Sequence, residues 1–74
     1  MLEIKDIWLD EEAVYIKTAD GATAAEKFRD YPKLALASAA ERLRYVAGRF
    51  GIRWPSLDED LSYEGFFGKN KNSQ

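Results

Sequence analysis

The 74-residue chain contains no cysteine and no histidine. The first absence excludes a disulfide staple and any thiolate metal site. The second removes the commonest metal ligand and the commonest general base at neutral pH. Proline occurs twice, as Pro32 and Pro55, and methionine once. No apolar run approaches the roughly 20 residues that a membrane-spanning helix needs. Positive charge is not in excess, because 11 Lys and Arg stand against 13 Asp and Glu, a net charge of −2. Nucleic-acid binding driven by phosphate contacts needs a net basic face, so DNA or RNA is disfavoured as a partner. The opening "MLEIKDIWLD" has no signal-peptide apolar segment, which makes the cytoplasm the default location. The length bounds one small domain. Such a core supplies only about 3–5 kcal/mol of net stability, so packing or self-association must do what staples cannot.

The first half of the chain reads as strands. "LEIKDIWL" mixes apolar and charged residues, with a change of phase near Asp6 that fits a β-bulge. "AVYIKT" (13–18) is the strongest strand, with Val14 and Ile16 on one face and Tyr15 and Lys17 on the other. Asp20-Gly21 is a hairpin-turn signal, which makes "ATAAEKF" (22–28) the return strand. Pro32 suits the first position of a helix. Ser38 with Glu41 forms a capping box, so a second helix is expected from Ala39. A single helix kinked at Ser38 is the other reading, since Leu36, Ala40 and Leu43 share one face at helical spacing. Arg42 and Arg44 are expected to point away from that face. "FGIRW" (50–54) reads as a final strand with Phe50, Ile52 and Trp54 on one side, stopped by Pro55. "SLDEDLSYEGFF" reads as turns followed by one helical turn capped by Ser62. The polar end "GKNKNSQ" (68–74) reads as a disordered tail after a single domain over 1–67.

Several of these motifs together resemble the DUF2442 family of small bacterial proteins of unknown function. They are Asp20-Gly21, Tyr31-Pro32-Lys33-Leu34, Ser38–Arg42, Gly51-Ile52-Arg53-Trp54-Pro55, Asp58–Ser62 and Gly65–Phe67. The likeness runs from Leu2 to about Phe67. Two departures from the family's pattern are Arg53, where His is frequent, and a short Arg44–Gly48 segment, which counts against the strand placed there in relatives. The resemblance implies an α+β fold with helices packed on an antiparallel sheet, and it implies no activity. Members are often encoded beside another small protein, an arrangement similar to toxin–antitoxin pairs, and some relatives look as if they carry an added helix-turn-helix domain. Both features point to partner binding or regulation.

The expected fold is therefore α+β, with a three- or four-stranded antiparallel sheet and one or two helices on one face. The expected core is Ile4, Val14, Ile16, Phe28, Leu34, Leu36, Leu43, Ile52 and Trp54. Three readings compete for Asp58, Glu59 and Asp60. They could hold a divalent cation, although the spacing and glycine of a calcium loop are absent. They could act as an acid–base pair, although so small a domain rarely encloses the cleft required. Or they cap and brace the chain end, with Leu57, Leu61, Phe66 and Phe67 pressing it onto the sheet. As a binding surface, the segment would act with Trp54 and Arg53. Arg42, Arg44, Arg49 and Arg53 form a second candidate patch, suited to nucleic acid or an acidic partner. No catalytic residue, metal or cofactor is expected. The leading expectation is a module that binds another, neighbour-encoded protein. A homodimer through β-strand addition at the first or last strand is also expected, because open edges invite pairing.

Overall fold

The computed structural model describes residues 2–68. The tail expected at the C-terminus falls, from residue 69 on, outside the described residues. Three strands form an antiparallel meander: β1 (Ile4–Leu9), β2 (Ala13–Thr18) and β3 (Thr23–Lys27). The β1–β2 register shifts between Ile4 and Asp6, the bulge that the phase change predicts. Asp10 builds the first turn, its carboxylate accepting from the amides of Glu12 (2.8 Å) and Ala13 (2.9 Å) and from the Tyr15 hydroxyl (2.7 Å). The second turn needs a residue at φ +98°, which Gly21 supplies without a Cβ penalty. There the Thr18 hydroxyl donates to Asp20, and the Thr18 amide donates to the Ala22 carbonyl at 2.8 Å.

A 3-10 turn (Phe28–Asp30) leads into two helices of one turn each, α1 (Pro32–Ala35) and α2 (Ala39–Arg42). Pro32 stands at the first helical position, and the Ser38–Glu41 capping box is complete. The kinked single helix is not formed. A second antiparallel sheet follows, of β4 (Val46–Ala47), β5 (Gly51–Trp54) and β6 (Glu59–Ser62). The chain then turns into α3 (Tyr63–Phe66), whose Gly65 amide is capped by the Ser62 hydroxyl. The fold is α+β, as expected, and among the described residues the six strands are divided between two sheets. One buried cluster draws on both: Val14 and Ile16 from the first sheet, Ile52, Trp54 and Leu61 from the second, and Phe28, Leu34, Tyr63 and Phe66 between them.

Four expectations need correction. Leu36 and Leu43 are not core residues; they are 88% and 65% exposed. With α1 and α2 separate, the helical spacing between them carries no common face. Arg42 does not point away. Its guanidinium lies 4.3 Å over the Phe28 ring and donates to the carbonyls of Leu34 (2.9 Å), Ala35 (3.2 Å) and Glu11 (3.3 Å). Phe50 is exposed, because it sits in the two-residue loop closed by the Gly48 amide on the Gly51 carbonyl. Strands form at Val46–Ala47 and at Glu59–Ser62, both through pairing with β5. Ile4 is half-buried and packs against the core; the other six expected core residues are buried.

Candidate functional site

The acidic segment begins at a turn. Pro55–Leu57 form a 3-10 turn, and Asp58 closes it in the left-handed region (φ 53°, ψ 49°). Aspartate tolerates this conformation better than most residues. Lys33, on α1, reaches across to donate to the Asp58 carbonyl at 3.0 Å and lies 3.7 Å from its carboxylate. Both side chains are largely in solvent, so this pair adds little stability. Its effect is to tie the turn to α1.

Past this turn the chain enters β6, whose alternation sorts the remaining residues. Asp60 faces Arg53 across β5 and β6, and Val46 faces Arg53 from β4. These three form an exposed row on one face of the second sheet. Glu59, opposite Trp54, is half-buried on the other face. Its charge contributes to a raised pKa at Tyr31, which burial and then the neighbouring Glu26 push up to about 12. Trp54 is 0% exposed, and its indole N–H donates to the Arg42 carbonyl at 2.9 Å. It is therefore a core residue that ties β5 to α2, and it leaves the surface set. Arg53, Asp58 and Asp60 stay on the surface.

The four arginines lie on different elements. Arg42 is spent on the α1–α2 corner, Arg44 follows α2, Arg49 lies in the β4–β5 loop 5.9 Å from the Phe50 ring, and Arg53 is in mid-β5. Among the described residues no three acidic side chains converge as a metal site would require.

An apolar surface not evident in the sequence accompanies these residues. Leu36, Leu43, Val46 and Phe50 are all exposed within one stretch of chain. Leu43, with Leu9 and Ala39, lines a mainly apolar hollow of about 290 Å³ beside the β1–β2 turn. A wider groove of about 660 Å³ runs between the N-terminal half of β1 and the β4–β5 hairpin, floored by Ile4, Ile7, Tyr45 and Tyr63. Leu36 and Leu43 are the C-cap residues of α1 and α2, helices of one turn each that are too short to bury them.

The model of the family described as "protein of unknown function (DUF2442)" matches residues 4–72, and the chain belongs to that family. No curated protein matches it. No solved structure matches it. No helix among the described residues is long and apolar enough to cross a membrane.

Proposed function

We propose that this DUF2442 member is a protein-interaction module whose partner is another protein, the product of a neighbouring gene being the first to try. That would place it as the neutralising half of a pair similar to a toxin and antitoxin. The observation that carries this reading is the exposure of Leu36 and Leu43 in the α1–α2 segment. Single exposed apolar residues are ordinary. Here two leucines, Val46 and Phe50 all face solvent within one short stretch of a domain with little core to spare. Interface cores are apolar with a polar rim, and Arg53 and Asp60 supply exposed charge of both signs.

The test is co-purification of the tagged chain with the neighbour-encoded protein, followed by mass measurement of the complex. A stoichiometric complex is expected, lost with Leu43→Asp or Leu36→Asp in chains that keep their circular dichroism. Absence of a complex, or one indifferent to both changes, would overturn the reading. Asp58→Asn with Asp60→Asn tests the acidic segment without straining the left-handed turn, as an alanine at 58 would. Loss of the complex in that variant would make Asp58–Asp60 a recognition element.

A further inference from the structure

Among the described residues, two three-stranded sheets leave four strand edges. An open edge presents unpaired N–H and C=O groups to any strand that fits. Three of the four are blunted. In β1 the ladder is broken by the bulge between Ile4 and Asp6, and the Ile7 amide is taken by the Asp6 carboxylate at 2.9 Å. β4 is two residues long. β6 carries Glu59 and Asp60 and ends at Ser62, the cap of α3.

β3 has no bulge and is not cut short, and its two charges stand at its C-terminal end, Glu26 buried and Lys27 exposed. Its register with β2 runs unbroken from Thr23 to Lys27. The bonds from the Thr18 amide to the Ala22 carbonyl and from the Phe28 amide to the Glu12 carbonyl fix the alternation at both ends. Ala24 and Glu26 therefore bond inward to β2, and the N–H and C=O groups of Thr23, Ala25 and Lys27 point out. All three residues are exposed.

We propose that two copies of the chain pair along β3, antiparallel, about a two-fold axis at Ala25. This register sets Ala25 opposite Ala25, Thr23 opposite Lys27 and Ala24 opposite Glu26. Every outward group of β3 finds a partner, and no like charges stand opposite each other. Moving the axis to Glu26 or to Lys27 would oppose two carboxylates or two ammonium groups. Moving it to Ala24 leaves Lys27 outside the ladder. The small side chains of Ala24 and Ala25 let the strands approach without obstruction, and the two meanders become one continuous sheet. This edge differs from the first or last strand that the sequence pointed to. The pairing does not depend on the partner reading above and stands if no foreign partner is found.

Sedimentation equilibrium of the full chain tests it. The mass is expected to rise with concentration from 8.4 kDa toward twice that value. Ala25→Lys places two ammonium groups at the axis and should return the mass to that of a monomer with circular dichroism unchanged. Ala25→Pro is a second route to the same result, because it removes an N–H that β2 does not use. The absence of native cysteine makes a cross-link unambiguous. Residues paired across the axis have Cα atoms about 5.5 Å apart, within disulfide reach, so Ala25→Cys should give a covalent dimer on oxidation. Thr23→Cys should not, since its opposite is Lys27. A monomeric native chain at millimolar concentration would overturn the proposal and leave the edge to a foreign strand. So would a dimer that survives Ala25→Lys, or Thr23→Cys linking as readily as Ala25→Cys.

Discussion

Asp10 organises the β1–β2 turn from a fully exposed position. Its three hydrogen bonds, led by the one from Tyr15, hold its carboxyl below the ordinary value of 3.8. Asp20 is lowered in the same way, first by the Thr18 hydroxyl. For both groups the unfolded chain binds a proton more readily than the folded one. Their contribution is therefore complete above the unfolded value and is lost as pH falls through the folded one. Tyr31 has the opposite sense. Its folded pKa of about 12 lies above the ordinary 10.0, so its contribution holds below 10.0 and is lost as pH rises toward 12. Urea midpoints measured against pH should fall at both extremes. Asp10→Asn should lower the midpoint at neutral pH and flatten the acid limb; an unchanged limb would show the turn bonds to be irrelevant to folding. Gly51 makes a different kind of prediction. A Cβ there would lie 2.9 Å from the Ser62 Cα and closer still to the Leu61 carbonyl oxygen. Both obstacles are backbone, so the strands must part. Gly51→Ala should destabilise by about 1–3 kcal/mol, the usual cost of overpacking, read from chemical denaturation.

The elements show how much of this fold a reader of the sequence could reach. β2, the Asp20-Gly21 turn, the bulge and the Ser38 cap were legible, because each rests on local chemistry: branched side chains, a positive φ, a phase change, a side-chain acceptor. β4 and β6 were not. Val46–Ala47 is too short for a pattern, and Glu59–Ser62 looks like a turn until β5 is there to pair with it. Leu36 and Leu43 were misplaced for a related reason. Helical spacing assigns a face only along a continuous helix, and two separate turns share no face. The acidic segment could be quoted from the sequence and Trp54 placed in the core by its parity with Ile52, but that Glu59 pairs opposite it while Asp60 turns outward depends on the fold. Stability measurements should separate the leucines. Leu34 is wholly buried, and Leu34→Ala should cost about 2–5 kcal/mol. Leu36→Ser should change stability by less than about 0.5 kcal/mol, as exposed substitutions do. A large loss at Leu36 would mean that it packs against something in the folded chain.

At the scale of the whole molecule, the two sheets and three single-turn helices of the described residues hold together through a few side chains that each reach several elements. Trp54 and Arg42 are the clearest. Trp54 fills the core from β5 and bonds the Arg42 carbonyl, while the Arg42 guanidinium covers Phe28 and bonds carbonyls on α1 and in the β1–β2 turn. One residue's backbone serves the second sheet and its side chain serves the first. Lysine cannot reproduce this, since its ammonium lacks the planar fork that reaches three carbonyls and lies flat on a ring. Arg42→Lys should therefore cost nearly as much as Arg42→Ala, about 1.5–3 kcal/mol for hydrogen bonds from a charged donor. If Arg42 acts through the joint, combining Arg42→Lys with Phe28→Leu should cost less than the sum of the two, since each removes the same contact. Additive losses would mean that the ring and the guanidinium are neighbours without being coupled. The joint would then rest on apolar packing and on the hydrogen bonds that Arg42 makes with Trp54, Leu34 and Glu11.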